Sequence, residues 1–558
     1  MKRKTKVGLL GIVRKTIKNY QKGKEMNKFM KRTTIGSVMR GICYGFAALL
    51  FAASCANDDV AQDEKQKKNN IPAGTTVFTG TSQPDATTRT AILNHTKGAG
   101  ASVNWSSNDK IWVKDDAGTW QQSGAVSLPS ALNKTEGSFA LSGTYTGISH
   151  NVVYTNKPFS GTQAQVEIKA TQVQSVPNNF DHAGESGDCG IATSNKVNGT
   201  YKFTLNHKAA YLCFIPRSSN SYVNRSKLIK VEIMCDDDIA GTYNMANDGS
   251  LTLVSGGSKT ITITAGSGFA IDNSVDDMSK NATYAVVAPG THKFRIRYWL
   301  RNTTDNPDGP IEGTVSKYVT VNCTAGSIND ITANLDPHDY DGDHYYAWDA
   351  EKQYWEGHGW NSTDPWQPTT TTQPANTHWP QSTPDPRYQN MSYPGPGISN
   401  PAIQTSFNNV PNVNEMFWYA KKGDPCWDGD ELWTTMNHLY KGGMWFKKKA
   451  NISGFNPNSE PDGTDRRTNG WPTMLTIPPH FLPVAEANKY FYLPALGKYE
   501  YGALTQIGTI GYYWSSSAVE RASNGAWNLH FYNMFNHIYV ELSGLSREYG
   551  FRVEPKFE

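Results

Sequence analysis

A thiol beside a base is the simplest chemistry that this chain could offer near its carboxy-terminal end. Cys426 and His438 are twelve residues apart in the sequence. A nucleophilic thiol needs a base within hydrogen-bond reach and a third group that orients the base, and no third group is evident here. The sequence contains no GxSxG, HExxH or Walker pattern, and no pair of acids stands out as general acid and base. We therefore expect that the chain is not an enzyme and that Cys426 is a buried, small apolar residue.

A run of acids before the last third of the chain suggests a calcium loop. Asp339, Asp341 and Asp343 have the spacing of the first ligands of an EF-hand. The pattern fails where its geometry is strictest, because position six is His344 instead of Gly and position twelve is Ala350 instead of Glu. The stretch predicts an acidic turn, and we expect neither a metal nor another cofactor.

The charge distribution separates a basic leader from an acidic remainder. Residues 1–54 hold 13 of the 53 Lys and Arg residues and 1 of the 50 acids, so the rest of the chain carries a net charge of −9. Nucleic-acid binding needs clustered cations, and the remainder lacks this excess. The leader joins a basic stretch to the apolar run GICYGFAALLFAAS, which is typical of a signal peptide. Its first 25 residues exceed a normal signal, and a start at Met26 or Met30 would remove them.

The leader ends at a single cysteine. FAASC resembles a bacterial lipobox, with Ala52 where Leu is usual, and this resemblance implies that Cys55 is lipidated and becomes the first residue. An ordinary signal peptide cleaved near Ala53 is the alternative. Asn57, Asp58 and Asp59 resemble the acidic surface-export signal of Bacteroidales lipoproteins, which implies an outer-membrane anchor facing outwards. Residues 55–74 then form a polar tether. The five cysteines that remain after Cys55 include no CxxC pair.

Short alternating runs dominate from residue 75 to residue 337. Apolar residues recur at every second position, and Gly, Asn, Ser and Pro interrupt the pattern about every ten residues. This texture predicts a mainly β fold with two β-sandwich domains, at residues 75–170 and 171–337.

Two motifs in this part carry a family resemblance. TTVFTGTSQPDATTRTAI at residues 75–92, followed by VNWSSNDKIWV at 103–113, is similar to the start of a Bacteroidales fimbrillin-type pilin. FTLNHKAAYLCF at 203–214 resembles the strand that often opens the second domain of that family. The resemblance implies a surface pilin with two fimbrillin β-sandwiches and other pilin subunits as its partners.

The same resemblance implies a mechanism of assembly. A protease would cut between Arg89 and Thr90 and release the first strand, TTVFT at residues 75–79. The vacated groove would then accept a donor strand from the next subunit by β-strand addition. The alternative is that Arg89 is an ordinary loop residue.

The composition changes again after residue 337. Residues 338–409 are rich in aromatics, Pro and Thr and predict either a linker or a wrap over the last domain, with Trp366 and Trp379 favouring the wrap. A helix is predicted from Asp430 to Gly442, because Leu432, Met436 and Leu439 would share one face.

Residues 410–558 carry the most specific resemblance. LPALG, GYYWSSS, AWNLHF and REYGFRV are similar to the FISUMP-type domain of bacterial surface proteins, which implies an α+β fold like that of C-type lectins. Lectin sites combine exposed aromatics with acids and amides. The candidate ligand-binding residues are Trp471, Tyr499, Tyr501, Tyr512, Tyr513, Asp462 and Asp465.

These features together predict a fimbrial subunit on the outer membrane. A tip adhesin is the favoured interpretation, because a globular domain occupies the end from which a stalk subunit would offer its donor strand. Its ligand would be a glycan or a protein of the host or of another bacterium. The alternative is a surface lipoprotein that binds glycans and does not polymerise.

Overall fold

The computed structural model describes residues 74–82, 91–93, 95–99, 102–130, 134–303, 310–390, 401–554 and 557. The chain is mainly β, as the period-two patterning predicts. Within these residues, no helix combines the length and the apolar character needed to cross a membrane.

The first sheet is built from strands that lie between residues 76 and 207. The strands in this part of the chain are β1 Thr76–Ser82, β2 Ala91–Leu93, β3 Ser102–Asn104, β4 Trp112–Lys114, β5 Trp120–Gln122, β6 Glu136–Leu141, β7 Ser149–Tyr154, β8 Ala164–Ile168, β9 Thr171–Val173, β10 Gly190–Val197 and β11 Thr200–His207. Seven of them form one sheet in the order β5-β4-β7-β10-β11-β1-β6. In β11 every second residue is buried, because Tyr201, Phe203 and Leu205 face the core.

The sheets do not divide at residue 170, where the sequence predicts a domain boundary. Strands β10 and β11 lie beyond that residue and complete the first sheet, whereas β8 and β9 pair with strands further along the chain. Consecutive strands between residues 164 and 207 therefore belong to different sheets. The predicted limits of the domains stay a prediction.

A second group of strands follows. It comprises β12 Ala210–Arg217, β13 Lys227–Cys235, β14 Ala240–Met245, β15 Leu251–Ser258, β16 Thr260–Ala270, β17 Thr283–Val287, β18 Gly290–Asn302, β19 Ile311–Cys323 and β20 Ile328–Asn334. Two short helices connect strands of this group, α2 Ser221–Asn224 and α3 Met278–Asn281, and the short helix α1 Ala183–Ser186 precedes β10. Small sheets with the orders β17-β12-β20 and β15-β14-β8 cover the same core. All residues of β12 except Arg217 are buried, so this strand is the centre of that core.

The carboxy-terminal region joins the second group through one continuous sheet. Its elements are β21 His338–Asp339, β22 Tyr345–Tyr346, 3₁₀ turns at Thr405–Phe407, Lys449–Asn451 and Val484–Lys489, α4 Val413–Lys422, β23 Cys426–Thr435, β24 His438–Lys447, β25 Thr473–Ile477, β26 Tyr490–Pro494, β27 Lys498–Glu500, β28 Ala503–Thr505, β29 Ile510–Ala518, β30 Gly525–Met534, β31 His537–Ser546 and β32 Phe551–Arg552. The order β26-β24-β23-β19-β18-β13-β16-β9 runs across both parts, and β19 meets β23 at Thr314 and Glu431. A six-stranded sheet, β22-β32-β29-β30-β31-β25, completes the region.

The predicted helix from Asp430 to Gly442 is wrong, because this stretch forms the hairpin β23–β24. Thr435 pairs with His438, so Met436 and Asn437 alone make the turn, with φ values of 49° and 61°. Two residues with positive φ define the turn that suits a tight hairpin, and Asn tolerates that conformation well. Leu432 and Leu439 are buried on the two strands and Met436 is buried in the turn, so the apolar spacing that predicted a helix fits this hairpin as well.

The helix of this region is α4 instead, and its start was readable in the sequence. The Asn412 side chain accepts from the backbone N–H of Glu415, and the Glu415 carboxylate accepts from the backbone N–H of Asn412. This reciprocal capping box satisfies N–H groups at the start of the helix that would otherwise lack partners. Lys421 and Lys422 occupy its last turn, where cations interact well with the helix dipole.

The described part of the Pro/Thr-rich segment packs over the last domain. Trp348 and Trp355 are fully buried in the carboxy-terminal cores. Gln367 donates to the Gly342 carbonyl at 2.7 Å, and the Tyr499 hydroxyl donates to the Pro368 carbonyl at 2.5 Å. The segment has little regular structure, yet the aromatic core holds it in place.

Candidate functional site

The first strand, β1, lies inside the first sheet and has neighbours on both sides. It pairs with β11 in parallel, where Phe78 is opposite Tyr201, and with β6 in antiparallel, where Phe78 is opposite Phe139. Its backbone groups therefore hydrogen bond in both directions. Removing a strand in this position would expose two sets of unpaired N–H and C=O groups at once.

The side chains of β1 reach the centre of the first core. Phe78 is 0% exposed, stacks on Tyr201 at 4.6 Å and meets Tyr145 edge-on at 5.1 Å. The Phe203 ring covers Gly80 so closely that a Cβ there would lie 2.4 Å from it. The slot filled by β1 thus accepts a large aromatic residue and, two positions later, a residue without a side chain.

The opposite face of β1 is reachable and, beyond Val77, polar. Thr79 and Thr81 line a shallow cleft of about 510 Å³, and the hydroxyls of Thr81 and Thr204 lie 3.3 Å apart. This face permits chemical modification of the strand without disturbing the aromatic core.

Three residues of the predicted assembly mechanism lie outside the described residues. They are the lipidation site Cys55 and the two sides of the predicted cut, Arg89 and Thr90.

A cavity of about 370 Å³ opens at the junction between the second group of strands and the carboxy-terminal region. Cys426 forms part of its wall, and the Cys426 sulfur lies 2.9 Å from His480 Nε2. His438, the base that the sequence places twelve residues from this thiol, instead contacts the Thr369 hydroxyl at 3.0 Å. Cys426 is 1% exposed, as expected of a buried, small apolar residue. His480 is 54 residues from Cys426 in sequence, and no local pattern links the two.

Several hydrogen-bond partners surround this thiol–imidazole pair. His480 Nδ1 lies 3.0 Å from the Pro478 carbonyl, which only accepts, so Nδ1 carries a proton. The Cys426 thiol also lies 3.3 Å from the Asp424 carbonyl, to which it can donate. Asp424 lies 3.2 Å from the same Nε2 and accepts from the Tyr490 hydroxyl at 2.6 Å. Burial raises the pKa of the Cys426 thiol to about 12. The sulfur therefore stays protonated at neutral pH and is a poor nucleophile.

Buried charges hold the same junction together. Arg295 and Arg297 project from β18 and are 2% and 6% exposed, and both bind the carboxylate of Asp428. Burial alone would raise the pKa of Asp428, but the two guanidinium charges outweigh this effect and lower it. Arg297 also contacts Glu232 and Asp430, each at 3.2 Å. Since these cations are already paired, the cavity offers no free positive charge for an anion.

The structure separates the candidate ligand-binding aromatics into two groups. Tyr499, Tyr512 and Tyr513 are 0%, 7% and 1% exposed, so they are core residues and cannot form a binding platform. Trp471 and Tyr501 are 57% and 51% exposed and remain available. A sequence pattern identifies an aromatic residue but not the face of the sheet that another segment will cover.

The two candidate acids shape their own loop. Asp462 accepts from the backbone N–H of Thr464 at 2.8 Å and binds Arg466 at 3.2 Å, while Asp465 binds Arg467 at 2.8 Å. Hydrogen bonds from Thr464 to Asp462 and from Arg467 to Asp465 lower both pKa values to about 2. Both side chains are ionised at neutral pH and already have partners within the loop.

The acids of the rejected calcium loop also have protein partners. Asp341 binds Arg552 at 2.8 Å and His344 at 3.0 Å. This arrangement fits the acidic turn that the sequence predicts, with Asp341 joining the turn to β32.

No protein-family model matches the chain, and no curated protein matches it. Similar solved structures include a candidate cell adhesion protein from Bacteroides ovatus, which is 14% identical and has a TM-score of 0.29 over 47% of this chain and 91% of that one. The fimbrial anchor protein Mfa2 from Porphyromonas gingivalis is 10% identical, with a TM-score of 0.22 over 47% and 90%. A fimbrial protein from Bacteroides ovatus is 9% identical, with a TM-score of 0.22 over 84% and 99%.

These neighbours are cell adhesion and fimbrial proteins of Bacteroidales. At identities of 9–14% and TM-scores below 0.3, the similarity assigns no function to this chain. Its function has to be argued from its own geometry.

Proposed function

We propose that the chain is a surface-exposed fimbrial subunit whose first strand is exchanged for a donor strand of a neighbouring subunit. The observation that carries the proposal is the position of β1, which is paired on both sides and buries Phe78 completely. Its loss would leave an apolar groove with two unpaired edges, and a strand from another chain can fill such a groove. Cleavage between Arg89 and Thr90 would separate β1 from the rest of the subunit.

The proposed place of the subunit is the fimbrial tip. A stalk subunit has to offer a donor strand as well as accept one. In this chain β32 is held between β22 and β29, and Phe551 is fully buried, so this strand is committed to its own sheet. A subunit that accepts a donor strand in its β1 groove but does not donate β32 fits the end of a fimbria.

The carboxy-terminal region would supply the adhesive surface. Trp471 is exposed and stacks on Arg521 at 4.5 Å, and Tyr501 meets Trp379 edge-on at 5.6 Å. Exposed aromatics of this kind bind the apolar faces of sugars or the side chains of a protein partner. A lipid on Cys55 would anchor the precursor in the outer membrane. We assign the chain no catalytic role, and the protonated Cys426 thiol supports this view.

One experiment tests adhesion and assembly together. Cells carrying Trp471→Ala and Tyr501→Ala should bind host cells or immobilised mucin about tenfold more weakly, which corresponds to ~1.4 kcal/mol. The amount of the chain in high-mass surface material should not change. Ile148→Ala is the matched control, because Ile148 is 84% exposed in the bend before β7 and lies outside the proposed ligand surface.

The results distinguish the proposal from its alternative. Unchanged binding by the double variant would overturn the assigned adhesive surface. A wild-type chain that binds glycans but never enters high-mass material would instead be the non-polymerising glycan-binding lipoprotein.

A further inference from the structure

Three side chains with metal-binding atoms converge where β13 ends and β18 begins. The Cys235 sulfur lies 3.9 Å from His292 Nδ1 and 4.0 Å from Asp237 Oδ2, and His292 Nδ1 lies 3.4 Å from Asp237 Oδ2. Cys235 and His292 are 5% and 6% exposed, whereas most of the Asp237 side chain is in solvent. The cluster is therefore rooted in the core and open on one side.

Hydrogen bonds around the cluster prepare each atom to bind a cation. His292 Nε2 lies 3.2 Å from the Ala288 carbonyl and must donate to it, so in the neutral ring the lone pair is on Nδ1 and faces the sulfur and the carboxylate. The backbone N–H of Asp237 donates to the Cys235 sulfur at 3.4 Å, a contact that favours a thiolate. Burial has the larger effect and raises the pKa of this thiol, so a bound cation would have to displace its proton. Metal-binding histidines generally donate their other ring N–H to such a partner.

The distances fit a tetrahedral ion. Zn²⁺ binds sulfur at about 2.3 Å and nitrogen or oxygen at about 2.0–2.2 Å, which places tetrahedral ligands about 3.3–3.6 Å apart. The three separations of 3.4–4.0 Å need only a small contraction to reach these values. The pair of Cys426 and His480 differs, because its 2.9 Å separation is that of a direct hydrogen bond with no room for an ion between the atoms.

The donor set also selects the metal. A thiolate and a neutral imidazole suit Zn²⁺ and disfavour Ca²⁺ and Mg²⁺, which prefer oxygen ligands. One thiolate and one carboxylate balance the two charges of the ion.

We propose that Cys235, Asp237 and His292 bind a Zn²⁺ ion, with water at the fourth position. Binding forms a Zn–S bond, breaks the S–H bond and releases the thiol proton to solvent. The ion would also fix the loop that follows β13. In that loop Asp236 accepts from the backbone N–H of Ala485 at 2.9 Å, in the 3₁₀ turn Val484–Lys489 of the carboxy-terminal region. Zinc would thus stiffen the connection between the two parts of the chain.

The test is zinc binding by the full chain after chelation and dialysis. The wild type should take up one equivalent of Zn²⁺, and Co²⁺ in its place should show a thiolate charge-transfer band and tetrahedral d–d absorption. Asp237→Asn, on an exposed side chain that the fold does not need, should weaken binding at least tenfold, and Cys235→Ser should abolish the charge-transfer band.

Matched controls keep the test specific. Asp238→Asn changes the neighbouring exposed acid, and Cys426→Ser removes the thiol of the other cysteine–histidine pair. Both variants should bind zinc like the wild type. The proposal is overturned if the wild type shows no saturable zinc binding. It is also overturned if the stoichiometry and affinity of Asp237→Asn equal those of Asp238→Asn, or if the charge-transfer band survives in Cys235→Ser and is lost in Cys426→Ser.

Discussion

Cysteines introduced at Thr79 and Ser138 are expected to abolish assembly of the chain into high-mass fibres under oxidising conditions. The two residues are directly opposite each other in the β1–β6 ladder, and both are half-buried. Opposed residues of antiparallel strands lie about 4.5–5.5 Å apart at Cα, which is within the range of a disulfide. The bond would hold β1 in its slot even after the chain is cut between Arg89 and Thr90, so a donor strand could not enter.

The effect of this disulfide should be reversible, and a second cysteine pair provides a matched control. Reduction of the disulfide should restore assembly to the wild-type extent, as measured by the size distribution of sheared surface material. Asn195→Cys with Lys202→Cys links β10 to β11, two exposed partners that remain together in the proposed mechanism, and should leave assembly unchanged. If the Thr79–Ser138 disulfide chain and the control chain assemble equally under oxidising conditions, assembly does not require β1 to leave its slot and strand exchange is contradicted.

Asp428→Asn is expected to lower the free energy of unfolding by about 3–5 kcal/mol. This substitution leaves the buried guanidinium groups of Arg295 and Arg297 without the carboxylate that both of them bind. Removing one partner from a buried ion pair costs this much because the remaining charge stays out of water. The effect should appear in the urea transition of the carboxy-terminal region, followed by tryptophan fluorescence.

The neighbouring acid provides the comparison for that measurement. Asp430 also binds Arg297, but its side chain is 38% exposed, and Asp430→Asn should cost less than about 1 kcal/mol. If the two variants lose similar amounts of unfolding free energy, Asp428 stabilises the fold no more than a surface charge does.

Local patterns in the sequence predicted the strands well where one face of a strand is buried. In β11 the alternation of Tyr201, Phe203 and Leu205 with polar residues specifies both the strand and its buried face. Asn198 and Gly199, with φ values of 50° and 84°, make the two-residue turn that joins β10 to β11. The error at the β23–β24 hairpin arose because its apolar spacing fits a helix as well as a strand pair, and the turn at Met436 and Asn437 decided between them.

The candidate sites were harder to predict, because their residues meet across long separations in sequence. His480 reaches Cys426 from 54 residues away, and His292 reaches Cys235 from 57. The parallel pairing of β1 with β11 spans more than 100 residues, and no local signal encodes it. Arg295 and Arg297 alternate with apolar residues in β18 and look solvent-facing, until β23 covers them with Asp428. Periodicity reports that a strand has two faces, whereas burial depends on which segments pack against each face.

The most direct test of the central claim is the amino terminus of the chain in material sheared from the cell surface. Exchange of the first strand predicts that chains in high-mass assemblies begin at Thr90 and lack residues 75–82. A chain that begins at a lipidated Cys55 and is recovered only as a monomer in the membrane would contradict strand exchange and the assignment to a fimbrial tip.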